Sequence, residues 1–185
     1  MAHAFVRLAD PADSAEIARI QLSTWRTAYA EILPAGVLAG VTESAAAGQW
    51  RETIENGPAT VLVAGEGDWT VGFGAAGPAP AGEAADAAGR PPEDAATVAL
   101  VATLLVEPRW GRRGHGGRLL ARLGQALRAT GSTRGICWVP AADAASLSFY
   151  RRAGWAPDGT ARTLDAGERT IREIRLTGSL DLELC

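Results

Sequence analysis

Two rhythms of apolar residues run along the chain. Leu119, Leu120, Leu123 and Leu127 recur at helical spacing and predict a helix from about Gly114 to Thr130, closed by Gly131. A helix is also predicted from Asp10, its N-cap, to about Ala30, with Pro11 opening it and Ile17 and Ile20 on one stripe. Leu22, Trp25 and Tyr29 form a second stripe on that helix. Leu33-Pro34 breaks it, a short helix follows over 34–39, and another spans 43–56 before Asn56-Gly57-Pro58. A last helix follows Asp143 as candidate N-cap, carries Phe149 and Tyr150, and stops at Gly154.

The other rhythm is extended. Residues 4–8, 60–64, 69–75, 98–106, 134–140 and 170–176 read as strands, with a further extended stretch over 155–163. Gly65-Glu66-Gly67-Asp68 is turn chemistry, so the strands on either side form a hairpin. Along the last strand Ile171, Glu173 and Arg175 share one face. Residues 76–95 are proline, glycine, alanine and acids with no period, and read as a mobile loop between strands. The 185 residues suit one α/β domain with a full core.

The stretch from Leu100 to Arg128 organises the rest. An apolar strand ends at Val106-Glu107-Pro108, and a turn of Gly111, Arg112, Arg113, Gly114, His115, Gly116 and Gly117 leads into the helix. Free N–H groups and the macrodipole at a helix start favour an anion, and the arginines add positive charge there. A phosphate-bearing ligand is the natural occupant. A P-loop needs Gly-Lys-Ser/Thr, and the chain has no lysine. A dinucleotide fingerprint needs a third glycine where Leu119 stands and an acid where Arg134 stands, so that reading is poor.

Composition narrows the classes. The formal net charge of −3 gives no support for general nucleic-acid binding. No stretch approaches the roughly 18 to 20 apolar residues of a membrane span, and the start lacks a signal peptide's apolar segment, so a cytoplasmic location is expected. Cys137 reads as a buried small hydrophobe and Cys185 as a terminal thiol, at no metal or disulfide spacing with the two histidines. No metal is expected.

The loop Gly111-Arg112-Arg113-Gly114-His115-Gly116 after Val106-Glu107-Pro108 resembles the acetyl-CoA-binding core of the GNAT superfamily of N-acetyltransferases, with Gly111 where the family usually has Gln or Arg. A second match lies in the family's usual order. Asp143, Ser146, Phe149, Tyr150, Gly154 and Trp155 stand where the family often reads N-x-x-A-x-x-F-Y-x-x-x-G-F/W. The segment around Trp25 and Tyr29 is similar to the family's opening helices, which cover the acceptor site.

The resemblance implies a mixed sheet of about six or seven strands, splayed between the fourth and fifth and flanked by helices on both faces. It implies acetyl-CoA as cosubstrate. Its pantetheine arm would lie against Leu104, Leu105 and Val106, and its diphosphate on the amides of Arg113 to Gly117, beside Gly111 and Arg112. Asp143 and Ser146 would border it, or Asp143 would serve only as a cap. Ser146 is small enough to leave the arm room.

The implied reaction is attack of a primary amine of a small molecule or protein on the thioester. Tyr150 is the candidate acid for the departing thiolate, and a strand N–H near Val106 the donor to the carbonyl oxygen. Trp25 and Tyr29 are candidates for the acceptor pocket. Glu107, Glu31 and Glu173 are open as bases, although Glu107 reads first as an exposed turn carboxylate. The same fold as a non-catalytic acetyl-CoA-binding sensor is the alternative. The last strand, read as an edge, invites pairing into a homodimer.

Overall fold

The computed structural model describes residues 3–182, so Cys185 lies outside the described residues. Seven strands form one sheet: β1 (Ala4–Leu8), β2 (Thr60–Glu66), β3 (Trp69–Pro78), β4 (Val98–Val106), β5 (Arg134–Pro140), β6 (Ala156–Asp165) and β7 (Thr170–Ser179), in the order β1-β2-β3-β4-β5-β7-β6. Every pairing is antiparallel except β4 with β5. The helices are α1 (Ser14–Ala28), α2 (Ala35–Gly40), α3 (Glu43–Asn56), α4 (Ala81–Ala84), α5 (His115–Ala129) and α6 (Ala144–Arg152).

The start of α1 follows its acidic signal. A 3-10 turn over Pro11–Asp13 precedes it, with Ala12 N donating to Asp10 Oδ1 at 2.9 Å and Asp10 N to Asp13 Oδ2 at 2.7 Å. Arg7 clamps Asp13 with two hydrogen bonds of 2.6 and 2.8 Å, tying the helix start to β1.

Two apolar layers sandwich the sheet. The leucine stripe of α5 packs on one face against Leu62, Ala64, Val101, Cys137 and Val139, all buried. Ile17 and Ile20 of α1 pack on the other against Val61, Val63, Phe73 and Ala75. Burying side chains of this size stabilises by roughly 1.5–3 kcal/mol each. Trp155 seals one end. It lies over Gly135 and Gly178, where an added Cβ would stand only 2.4 and 2.2 Å from its ring. Glycine is required at both positions for that close approach.

Strand β4 carries the irregularity that matters most. Ala75 and Ala76, adjacent on β3, pair with Thr103 and Val101, so Ala102 is an extra, unpaired residue. Before it, Ala99 and Val101 face α5. Beyond it Leu104 and Val106 do, and Leu105 turns towards α1. A regular strand would have sent Thr103 and Leu105 to the α5 side instead.

Several boundaries differ from the periodicity. β2 runs on to Glu66, because β1 and β3 supply ladders on both sides, and only Gly67-Asp68 turns. The segment 76–95 begins as strand, since Ala76, Gly77 and Pro78 pair with Val101, Leu100 and Ala99. Past it, the buried Arg175 donates to the carbonyls of Glu83 and Ala85 at 2.8 and 2.6 Å. The last strand is no edge: β7 lies between β5 and β6, and β6 is the edge on that side, so the pairing surface expected at β7 is already used. No described helix is long and apolar enough to cross a membrane.

Candidate active site

Strands β4 and β5 pair only through Val98–Leu100 with Arg134–Ile136. Beyond that they part. The bulge bends β4, and β5 stays laddered to β7 along its whole length. From Ala102 to Val106 the β4 backbone has no strand partner on that side among the described residues, and Ala102 is exposed in the middle of the sheet.

A cleft opens on each face of the parting. One, on the α5–α6 side, has a volume of about 660 Å³ and is bordered by Leu104, Val106, Trp110, Phe149 and the turn from Gly114 to Gly117. The other, on the α1 side, has about 240 Å³ and is bordered by Trp25, Tyr29, Leu105, Trp138 and Ile171. Leu104, Ser146 and Tyr150 border both. The two clefts therefore meet at the parted strands.

At the start of α5, Gly114 is the N-cap with φ of +82°, a conformation that favours glycine, and Arg112 also has a positive φ of 61°. The amides of the first turn face the larger cleft with no helical acceptor of their own. His115 is buried, with Nε2 2.8 Å from Glu66 Oε2. A carboxylate only accepts, so Nε2 carries the proton. Glu66 Oε1 accepts from Arg113 Nη1 at 3.2 Å, and that guanidinium lies 4.9 Å from the Trp110 ring centroid. His115 Nδ1 and Trp110 Nε1 are buried without a partner. Free amides, an orphan indole N–H and arginines at one helix start can bind a diphosphate.

Asp143 caps α6. Its Oδ1 accepts from Ser146 N at 3.0 Å, and its Oδ2 accepts from Ser146 Oγ at 2.6 Å and from Tyr29 Oη at 2.7 Å. The cap thus joins α6 to the far end of α1. Burial, and then the Asp143 carboxylate, push the Tyr29 phenol above its ordinary range. Tyr150 is buried at the parting, edge-on to Phe149 at 5.0 Å and beside Trp155 at 5.4 Å. Burial, chiefly, holds its hydroxyl well above the usual phenol range, with the neighbouring Cys137 adding to the shift. The Cys137 thiol is itself pushed up to about 12 by burial. Both groups keep their protons at neutral pH.

The three carboxylates named from the sequence fall in different places. Glu107 is buried, not an exposed turn residue: Arg19 Nη1 donates to its Oε1 and Arg109 Nε to its Oε2, each at 3.0 Å. Burial alone would raise its pKa, and the two arginines outweigh that and lower it. Glu31 is exposed and offers its carbonyl, not its carboxylate, to Arg169 at 2.7 Å. Glu173 borders the α1-side cleft, with Arg162 Nε donating to its Oε2 at 2.6 Å.

Four features of the site escape the sequence pattern. Glu66 reads as a turn residue, although its place in a strand beside His115 follows once β2 is extended. Leu164 borders the α1-side cleft from a segment far from any motif, and Trp138 from the strand just before Asp143, where no pattern marks its side chain. The Ala102 bulge has no local signal, because alanine suits a regular strand equally well.

A model of the acetyltransferase (GNAT) family matches residues 22–155. Among solved structures, ribosomal-protein-alanine N-acetyltransferase from Brucella melitensis is 21% identical with a TM-score of 0.72, covering 95% of this chain and 99% of its own. The YncA protein of Salmonella typhimurium, named as an acetyltransferase and solved with its cofactor acetyl-CoA, is 19% identical with a TM-score of 0.68, covering 98% and 96%. PaiA N-acetyltransferase from Thermoplasma acidophilum, in complex with coenzyme A, is 14% identical with a TM-score of 0.68, covering 96% and 99%. At these identities the likeness is one of fold. No curated protein matches the chain.

Proposed function

The chain belongs to the GNAT acetyltransferase family, and we propose that it moves the acetyl group of acetyl-CoA to a primary amine by direct attack of the amine on the thioester. One observation carries this reading: β4 and β5 part after Leu100 and Ile136, leaving a free strand edge between two clefts that share Leu104, Ser146 and Tyr150. A passage with an anion-binding helix start on one side and an apolar cleft on the other suits two substrates that meet end to end.

The residues present fit the cosubstrate. The first-turn amides of α5 and the orphan Trp110 Nε1 would hold its diphosphate, and the unpaired backbone of Leu104 to Val106 would accept its amides as a strand does. Leu104 and Phe149 would flank its arm, and Ser146 leaves room beside them. When bound, acetyl-CoA supplies the acetyl thioester. A β4 N–H near Val106, already oriented by the sheet, would donate to the carbonyl oxygen as charge gathers there.

Tyr150 is the acid in this reading. Its buried hydroxyl keeps its proton at neutral pH and borders both clefts, so it can protonate the departing sulfur. Trp25 and Tyr29 form the wall against which the acceptor is held, with Tyr29 fixed by Asp143. Glu107 has no place as the base, since both of its oxygens are engaged by arginines. Of the three carboxylates only Glu173 borders the acceptor cleft. The amine attacks as the free base, and its surplus proton leaves to water or to Glu173.

Calorimetry with acetyl-CoA, paired with thiol release over a panel of amines, tests the proposal. Saturable binding with turnover on at least one primary amine is expected. Tight binding with no turnover on any amine would make the chain an acetyl-CoA sensor instead.

A further inference from the structure

Among the described residues, the α1-side cleft has one charged side chain in its lining, that of Glu173. Its Oε2 is already engaged. Arg162 Nε donates to Glu173 Oε2 at 2.6 Å, and the same guanidinium lies 4.1 Å from the centroid of the Trp138 ring. Arg162 is fixed from behind by Glu83, whose oxygens accept its Nη1 at 3.1 and 2.9 Å. Arg175 approaches the same ring to 5.6 Å. A second cation on a ligand would seek an unpaired carboxylate or an open indole face. At Glu173 and at the Trp138 ring the chain has placed its own arginines.

What remains towards solvent is apolar. Trp25 and Leu33 form one wall, and Leu164 and Ile171, paired across the β6–β7 hairpin, border the same cleft. Leu164 is 38% exposed, so its side chain presents an apolar edge to solvent at the cleft. Arg169 Nη1 reaches from the hairpin end to the Glu31 carbonyl at 2.7 Å and holds the two walls together. The space between them, about 240 Å³ including the parting itself, admits a small molecule.

We propose that the acceptor is a monoamine with an apolar body, an aralkyl or branched-alkyl primary amine, and that Arg162 enforces this choice by occupying the positions a second cation would need. The proposal rests on the acetyl-transfer reading above. In the transfer, the nitrogen lone pair forms the C–N bond, the C–S electron pair leaves on sulfur, and one N–H proton is lost. Arg162 is a specificity determinant that touches Glu173 and Trp138, not a catalytic residue.

Thiol release with 2-phenylethylamine and isoamylamine, set against putrescine and spermidine, tests this, with acetyl-CoA binding measured by calorimetry in parallel. The wild type should favour the apolar monoamines by at least about tenfold in kcat/KM. Arg162→Gln, which frees the Glu173 carboxylate and removes the nearer cation from the Trp138 ring, should shrink that ratio by about tenfold, and Arg162→Lys should largely keep it. A wild type that prefers the di- and polyamines, or acetylates neither class, overturns the proposal, as does a ratio unmoved in a folded Arg162→Gln protein. The wild-type ratio decides the acceptor class by itself, so a variant that fails to fold does not protect it. Loss of acetyl-CoA binding in the wild type would instead bring down the acetyl-transfer reading, which a wrong acceptor class leaves standing.

Discussion

The clefts on the two faces of the parted strands are built by different means. The larger one, at the start of α5, is mostly backbone: first-turn amides, a left-handed glycine at position 114 and the unpaired edge of β4. The smaller one is side chains: Trp25, Leu33, Trp138, Leu164 and Ile171, brought together from α1, the turn after it, β5 and the β6–β7 hairpin. Backbone donors do not change with most substitutions, so the first cleft suits a ligand that stays the same while sequences drift. Side chains change freely, so the second is where an acceptor preference can be rewritten without disturbing the fold.

The sharpest way to break the comparison is at the residue both clefts share. Tyr150→Phe keeps the ring and removes the hydroxyl, so kcat should fall by about 10²-fold while acetyl-CoA affinity stays within a few fold. Steady-state kinetics with calorimetry separates the two. Because Tyr150 titrates well above the ordinary phenol value, wild-type kcat should show no loss attributable to this group below about pH 10, as a pH–rate profile would reveal.

Next in size is an attack on the backbone cleft alone. Gly114→Val forces a branched side chain into φ of +82°, at a cost of roughly 1–2 kcal/mol. Acetyl-CoA affinity should weaken about tenfold, with amine KM little changed. If the amine KM moved equally, the two clefts would not act separately.

A third prediction concerns the tie between β4 and α1. Glu107 is held below its ordinary pKa in the folded chain, so it adds stability above its unfolded value of about 4.3 and loses it as pH falls through the lowered folded value. Glu107→Gln should melt lower than wild type at neutral pH, by about 1 kcal/mol in stability. The gap should close on acidification, as thermal melts over a pH series would record.

The smallest effect is expected behind the backbone cleft, at the carboxylate that holds His115 and Arg113. Glu66→Gln removes the charge that engages Arg113 while an amide oxygen can still accept from His115. Acetyl-CoA should then bind about threefold tighter, and more so at low salt, by calorimetry.

The same contrast explains how much could be read in advance. The glycine turn, the α5 stripe and the Phe149-Tyr150 pair are local in sequence, and the glycine turn and that pair border one cleft in the structure. Asp143 as a cap was legible for the same reason: an acid stands three residues before the amide it accepts from, Ser146 N. The side-chain cleft was only half legible. Trp25 and Tyr29 stand out on a helix and Trp138 lies just before the Asp143 segment, but nothing near Leu164 says that it will meet them. Glu107 departs from the exposure expected of a lone carboxylate at a turn because its partner Arg19 lies far away in sequence. The last strand looked like an edge because chain order and sheet order differ, and β6 folds back outside β7.

The extra residue at position 102 acts on the strand as a frameshift acts on a message. Downstream of it, what would have been read on one side is read on the other: Leu104 and Val106 towards α5, Leu105 towards α1. Excising that one alanine would leave composition, charge and hydropathy almost untouched. It would also leave Leu104 and Val106 towards α5 by plain alternation, and would take out the bend that parts β4 from β5.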